Sequence, residues 1–196
     1  MNNIYHEECI WEPKENHIYS YWSPIDAKER TPIATWKLNK ISIELWESIK
    51  HLCAYAQKEY SSECMVRLYF SDTLNEWKTL VYRQAMAGMT VSDEFDQEIR
   101  NSIDKSFQEA GSLHHHCKSS AFQSGTDFTD EETVDGLHIT LGKLDESHWD
   151  IHTRFKTPEC FLVPLLSSFI ETPDWIASVP PNYRHDLFIK CLTEQG

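Results

Sequence analysis

The chain contains no long hydrophobic run and does not begin like a secreted protein. No stretch approaches the roughly 18 consecutive apolar residues that a membrane-spanning helix needs. Its start, Met-Asn-Asn-Ile-Tyr-His-Glu-Glu, lacks the basic and apolar regions of a signal peptide. We therefore expect a cytoplasmic protein without a membrane span.

Paired cysteines are also missing. The six cysteines lie far apart and form no Cys-x-x-Cys pair, which argues against a zinc ribbon and against a secreted disulfide framework. We expect most of them to be small buried side chains or free thiols. They are Cys9, Cys53, Cys64, Cys117, Cys160 and Cys191.

Positive charge is scarce. The chain has 18 basic and 31 acidic residues, which gives a formal net charge of −13. A field of this sign opposes binding to nucleic acid or to an anionic membrane. A protein or peptide partner, one with a basic patch, is favoured instead.

The length and composition fit one domain with extensions. A chain of 196 residues with 40% hydrophobic and 12% aromatic content can bury one substantial core, and it is short for two independent domains. We find no internal repeat and no low-complexity segment. We predict an N-terminal extension over residues 1–40 packed on the core, a central domain over 41–157, and a C-terminal extension over 158–196 packed on the same domain.

Hydrophobic spacing predicts an α/β fold. A helix is expected from Ser42, its cap, to Lys58, and a second from Asp93 to Glu109 because four apolar residues recur at intervals of four before Gly111. Strands are expected from clusters of β-branched and aromatic residues. They span residues 17–22, 33–38, 63–70, 77–82, 137–141 and 149–155, with one more carrying the histidines near 114, and a short tail helix is expected over 184–192.

The most specific pattern is His114-x-His116, then seven intervening residues, then Ser124-x-x-Asp127. Two histidines separated by one residue project from the same face of a strand, so both imidazoles can reach one ion. A returning loop can deliver the Asp127 carboxylate as a third ligand, which leaves a fourth position for water. The alternative is a coincidental histidine cluster in a polar loop or strand.

This pattern resembles the JAMM (JAB1/MPN/Mov34) motif of zinc-dependent ubiquitin isopeptidases. Ser124-Gly-Thr-Asp127 and the later Gly136-Leu-His-Ile-Thr-Leu-Gly142 are similar to the prokaryotic branch of that family. The resemblance covers residues 41–156. It implies an MPN (cytidine-deaminase-like) fold with a central mixed β-sheet flanked by helices, and one Zn²⁺ held by His114, His116 and Asp127.

The resemblance also implies two catalytic residues. The family uses a glutamate at the start of the strand after the first helix to take a proton from water, and Glu63 occupies that place here. Ser124 would donate a hydrogen bond to the oxyanion of the tetrahedral intermediate. The alternative for Glu63 is an ordinary solvated carboxylate, and Glu59, Asp72 and Glu76 are the other candidates for the catalytic carboxylate. Ser124 can also cap the segment 125–134.

Four positions depart from the family pattern. His115 replaces a small residue between the two ligands, and its side chain should point to the opposite face of the strand, which must be open to hold it. Cys117 replaces a frequent proline and is expected to be a buried structural cysteine, more than a redox switch or fourth ligand. Cys64 and Met65 replace small residues after Glu63. His138 and His148 are expected to be ordinary satisfied histidines.

The resemblance implies an isopeptidase or peptidase that cleaves after the C-terminus of a ubiquitin-like protein, either to process a precursor or to remove a conjugate. Prokaryotic members imply a partnership with E1-like and E2-like enzymes, in an antiphage operon. Two other classes stay open: a catalytically silent MPN-type scaffold, and a zinc amidohydrolase that acts on a small molecule in a closed pocket.

Overall fold

The computed structural model describes residues 39–86, 90–147, 149–157 and 169–171 with their side chains. It describes only the backbone of five short strands, at 4–6, 9–15, 19–24, 33–36 and 161–162. The predicted tail helix over 184–192 and His148 lie outside these ranges. Within them, none of the helices combines the length and the apolar composition needed to cross a membrane.

The first 36 residues supply a four-stranded antiparallel sheet. Its strands are β1 (Ile4–His6), β2 (Cys9–Glu15), β3 (Tyr19–Pro24) and β4 (Ile33–Trp36), paired in chain order. Strands β3 and β4 fall where clusters of aromatic and β-branched residues predict them. The prediction that this segment packs on the core concerns side chains outside the described ranges.

Helix α1 (Ile43–Tyr60) confirms the first predicted helix. The Ser42 hydroxyl accepts a hydrogen bond from the Leu45 N–H at 3.2 Å, so the expected residue caps the helix. The helix ends at Ser61, whose backbone adopts the left-handed conformation. One face of α1 is buried through Trp46, Ile49, Cys53 and Ala56.

The central sheet is mixed and has the strand order β12-β11-β10-β9-β5-β6. Strands β9 and β10 run parallel, and every other neighbouring pair is antiparallel. The chain is therefore a mixed α/β structure with helices beside the sheet. The strands are β5 (Met65–Ser71), β6 (Glu76–Leu80), β9 (Gln108–His115), β10 (Gly136–Gly142), β11 (Asp150–Lys156) and β12 (Phe161–Leu162).

The two faces of this sheet differ in polarity. One face is apolar and packs against α1, with Val66, Leu113, Leu137 and Ile139 among the fully buried side chains. Segment 169–171 joins this core, because Ile170 is fully buried and forms a parallel bridge with Ile41. The opposite face carries buried polar side chains, and the candidate site lies there. They include Ser112, His114, His138, Thr140 and Arg154.

The predicted helix over 93–109 is wrong. Residues Val91–Glu94 form strand β8, which pairs with β7 (Arg83–Met86), and only the single turn α2 (Gln97–Arg100) is helical before β9 begins at Gln108. The recurring apolar residues are used differently: Phe107 is buried beside Tyr69, Leu80 and Tyr82, and Ile99 and Ile103 pack against it. The spacing of these apolar residues is typical of a helix, but tertiary packing accounts for it here.

Gly111, expected to stop that helix, lies inside strand β9. The pairing between β5 and β9 shifts register between Leu68 and Tyr69, so Ala110 is the extra residue of a β-bulge. Gly111 adopts φ +136°, a conformation that L side chains rarely tolerate. This bulge precedes the histidines by three residues and sets which of them face the site.

Candidate metal centre

Two neighbouring elements hold the three predicted ligands. His114 lies in β9, and His116 follows the end of that strand, where its N–H donates to the Leu141 carbonyl of β10 at 2.8 Å. Asp127 lies in the first turn of helix α3 (Gly125–Glu131). All three side chains are largely buried, so the loop between the ligands folds back onto the strand as expected.

The ligand atoms form a tight triangle. His114 Nε2 lies 3.1 Å from His116 Nε2 and 3.2 Å from Asp127 Oδ1, and His116 Nε2 lies 3.4 Å from Asp127 Oδ2. Ligand atoms held at about 2.0–2.1 Å from one tetrahedral ion lie about 3.4 Å apart. The group can therefore bind a metal ion.

The second nitrogen of His116 supports this assignment. His116 Nδ1 lies 3.4 Å from the Ser120 carbonyl, which can accept only from a protonated nitrogen. That tautomer leaves a lone pair on Nε2, the atom that faces His114 and Asp127. A carboxylate and imidazole lone pairs that converge in this way repel one another unless a cation or a proton lies between them.

The pKa values of Asp127 and His116 are shifted because the ligand side chains lie close together. Burial by itself raises the pKa of Asp127, but its close contacts with the imidazoles of His114 and His116 outweigh burial and hold that pKa well below its ordinary value. Burial lowers the pKa of His116, and the Asp127 carboxylate reverses this effect so that the pKa is raised. The carboxylate thus stays ionised and available to a cation.

Ser124 is the N-cap of α3 and lies beside the ligands. Its hydroxyl accepts from the Asp127 N–H at 3.1 Å, while its own N–H donates to Asp127 Oδ2 at 2.7 Å. This reciprocal pair is a capping box. The capping role anticipated for Ser124 is therefore present, and the helix it starts ends at Glu131, earlier than the predicted residue 134.

Glu63 lies in the link between α1 and β5, two residues before the strand begins. Its side chain is buried, and burial raises its pKa while the nearby imidazoles of His116 and His115 lower it. A carboxylate with a raised pKa is suited to take up and return a proton. The competitors Glu59, Asp72 and Glu76 are exposed and do not line the site.

All five predicted site residues line one cavity of about 140 Å³. They are Glu63, His114, His116, Ser124 and Asp127. The sequence assigned no site role to the other residues that line this cavity. Phe122 is 49% exposed and packs edge-on against the His116 ring at 4.8 Å between centroids. Its position between the ligands in the chain is the only signal that could have identified it.

A wider cleft continues from this cavity. It has a volume of about 480 Å³ and shares Met65, Val91, His114, Asp127 and Asp130 with the smaller cavity. The hairpin of β7 and β8 forms one wall. It is fastened to β5 by the Gln84 side chain, which accepts from the Met65 N–H at 3.0 Å, and by a pair of hydrogen bonds from Arg67 to Asp93.

His115 points to the opposite face, as predicted, but that face is closed. The ring is fully buried, and its nitrogen and the sulfurs of Cys53 and Cys64 all lie within 4.8 Å of one another. Backbone N–H groups of Cys64 and Cys117 point at its two nitrogens at 3.1 and 3.2 Å. Neither nitrogen offers a free lone pair to an ion, so we assign this cluster to packing.

Two further predictions concern single side chains. Cys117 is buried, burial raises the pKa of its thiol to about 11, and its sulfur is not part of the His114, His116 and Asp127 group. Cys53 and Cys64 are also buried free thiols, as expected for the described cysteines. His138 is satisfied: its Nδ1 lies 2.9 Å from the Ser112 hydroxyl and its Nε2 2.9 Å from the Val134 carbonyl.

Comparison of the chain with models of protein families and with curated proteins finds no match.

Proposed function

We propose that the protein is a zinc-dependent isopeptidase or peptidase of the JAMM type, with an MPN-type fold, that cleaves after the C-terminus of a ubiquitin-like protein. The observation that carries this proposal is the convergence of Glu63, His114, His116, Ser124 and Asp127 on one cavity. These residues are separated by up to 64 positions in the chain, and the motif resemblance assigns each of them a role in the same reaction.

The donor set fits zinc. His114, His116 and Asp127 would hold the ion, since two imidazoles and one carboxylate are a frequent ligand set of catalytic zinc. When bound, zinc polarises a carbonyl group and makes water a nucleophile near neutral pH. Burial and the His116 hydrogen bond to Ser120 fix the orientation of the imidazoles before any ion arrives.

The other two residues handle protons and developing charge. Glu63 makes no hydrogen bond to another described residue, so its carboxylate is available to accept a proton in the cavity and to return it to the leaving amine. The Ser124 hydroxyl uses an oxygen lone pair to cap α3, which leaves its proton free to be donated to an oxyanion.

The shape of the site favours a chain as substrate. The small cavity opens into the wider cleft through shared residues, so an extended tail can continue past the site of cleavage. Ubiquitin-like proteins end in such a tail, and backbone hydrogen bonds can bind it beside a strand. The acidic chain fits a partner with a basic surface, and E1-like and E2-like enzymes of an antiphage system are the proposed partners.

The test combines metal content and cleavage in the same samples. Native protein, Glu63→Gln, His116→Ala and the control Glu59→Gln are purified, and each is assayed for zinc and for cleavage of a ubiquitin-like fusion. We expect about one zinc per chain except in His116→Ala. We expect cleavage by native protein and Glu59→Gln only, because Glu59 is an exposed carboxylate four residues from Glu63 that does not line the cavity.

Each outcome separates one hypothesis from the others. Full activity of Glu63→Gln would remove Glu63 from the mechanism. Zinc without cleavage of any fusion by native protein would favour a silent scaffold or a small-molecule amidohydrolase. If native protein binds no zinc, the histidine pattern is a coincidental cluster.

A further inference from the structure

A buried ion pair connects helix α3 to the central sheet. Glu131, in the last turn of α3, accepts from Arg154 of β11 through both carboxylate oxygens, with the Nε donor at 2.9 Å from Oε2. The side chains are 4% and 1% exposed. The Gln123 amide donates to the same oxygen Oε2 at 2.8 Å, so the residue before the Ser124 cap joins the pair.

Glu131 shares a helix face with the metal ligand. It follows Asp127 by four residues, and side chains at this spacing lie one above the other on a helix. The orientation of Glu131 therefore sets the rotation of α3 about its axis. That rotation determines whether the Asp127 carboxylate meets the two histidines.

The same arginine reaches the strand that neighbours the histidine strand. Arg154 Nη2 donates to Thr140 Oγ1 at 2.9 Å, and Thr140 of β10 lies opposite His114 of β9 in the sheet. A continuous series of contacts thus runs from His114 through Thr140, Arg154 and Glu131 to the turn of Asp127. It connects the two elements that carry the ligands.

A gain in stability is a weak explanation for the buried ion pair of Glu131 and Arg154. Two charges removed from water cost free energy, and apolar residues of similar volume commonly stabilise a fold as well or better. A bidentate guanidinium–carboxylate contact does fix direction, because both hydrogen bonds form only in one relative orientation. The pair therefore suits an element whose orientation matters.

We propose that Arg154, acting through Glu131 and Thr140, is a positioning residue that orients Asp127 toward His114 and His116 and so sets the metal affinity of the centre. This inference rests on the proposed zinc centre and not on the identity of the substrate. Residues that orient metal ligands from outside the coordination sphere commonly change metal affinity by about 10–100-fold.

The test measures zinc affinity and stability in the same variants. Removal of Arg154 alone would leave Glu131 buried and uncompensated, so the first variant is the double replacement Arg154→Met with Glu131→Leu, which keeps volume and removes both charges. Arg154→Lys is the second, because lysine keeps the charge but loses the planar fork. Lys156→Met is the control, since Lys156 lies two residues along the same face of β11 and pairs with Asp135 at 3.2 Å.

Zinc affinity is measured by competition with a chromophoric chelator, and the unfolding midpoint by heating metal-free protein. We expect the double variant to unfold within a few degrees of native protein yet bind zinc about 10–100-fold more weakly. Arg154→Lys should lie between the two, and Lys156→Met should match native affinity.

Native affinity in a folded double variant would overturn the inference. If the double variant does not fold, Arg154→Lys decides in the same way: unchanged affinity overturns the inference, and weakened affinity at a native midpoint supports it. If native protein binds zinc but cleaves nothing, the proposed substrate is wrong, and the zinc affinities of the variants still test this inference. Native protein without zinc affinity would remove both.

Discussion

Ser124 and Asp127 hydrogen-bond to each other twice, with the Ser124 hydroxyl accepting from the Asp127 N–H and Asp127 Oδ2 accepting from the Ser124 N–H. The helix start and the candidate metal centre therefore share one carboxylate. Asp127 uses the same side chain to close the capping box and to face the histidines. A substitution at either residue can affect folding and binding together, and variants must be chosen to separate the two.

Substitutions at Ser124 should separate capping from catalysis. Ser124→Ala removes the cap and should lower the free energy of unfolding by about 0.5–2 kcal/mol. Ser124→Gly has no side-chain donor and costs only about a few tenths of a kcal/mol at an N-cap, so we expect near-native stability with cleavage reduced by about 10²–10³-fold. Chemical denaturation and single-turnover cleavage measure the two effects.

The matched control is Ser42→Ala, because Ser42 caps α1 through the same kind of contact and lies outside the cavity. It should lose stability and keep its turnover. If Ser124→Gly cleaves at the native rate, the Ser124 hydroxyl caps α3 and takes no part in catalysis.

Asp127→Asn should release the metal without breaking the helix cap. The amide oxygen can still accept from the Ser124 N–H, so the unfolding midpoint should stay within a few degrees of native. The lost negative charge should weaken zinc binding by at least 10-fold, measured by elemental analysis after dialysis against a chelator.

Asp130→Asn is the control for that variant. Asp130 lines the same cavity but is exposed and outside the ligand triangle, so it should retain one zinc per chain. Stoichiometric zinc in Asp127→Asn would show that the ligand assignment is wrong.

Local signals in the sequence account for most of the site. Two histidines at strand spacing and a serine cap followed by an aspartate are short-range patterns, and the structure places them as those patterns predict. Helix α1 is predictable for the same reason, since Ser42 and the apolar spacing act within one element.

Contacts between residues that are distant in the chain could not be predicted from the sequence. Phe107, Ile99 and Ile103 have helical spacing, but they pack with Tyr69 of β5 and with Tyr82, which lies between β6 and β7, and both partners are distant in the chain. His115 was expected to need an open face, and instead its ring is fully buried beside Cys53 of α1 and Cys64. Arg154 and Glu131 are charged residues that composition alone would place at the surface, and their mutual contact and the hydrogen bonds to Thr140 and Gln123 permit burial.

Gly111 should tolerate no side chain. A Cβ built on it would lie 1.8 Å from the Leu137 carbonyl oxygen of the parallel neighbour, and its φ of +136° is unfavourable for other residues. Gly111→Ala should therefore destabilise the protein by more than about 2 kcal/mol and displace the histidines that follow. Thermal unfolding and zinc content measure both effects.

Gly125→Ala is the comparison, because no atom lies within 4 Å of a Cβ at that first helical position. It should be neutral or stabilise the protein by about 0.4–1 kcal/mol. Equal midpoints for the two variants would contradict the assigned register of β9.

His138 should make stability fall in mild acid. Burial lowers its pKa to about 4, below the ordinary value of about 6.5, so the folded protein excludes a proton that the unfolded chain binds. The contribution is complete above pH 6.5 and is lost as pH falls toward 4. Between pH 7.5 and 5 it amounts to about 2 kcal/mol.

His138→Asn removes this titration and keeps an acceptor toward Ser112. It should be less stable than native protein at pH 7.5 and lose less on acidification, as measured by denaturant unfolding at both values. His51→Asn, at an exposed position of α1, should follow the native curve. The same acid loss in all three proteins would mean that carboxylates dominate the effect, because protonation of His138 would then contribute nothing to the difference between folded and unfolded chains.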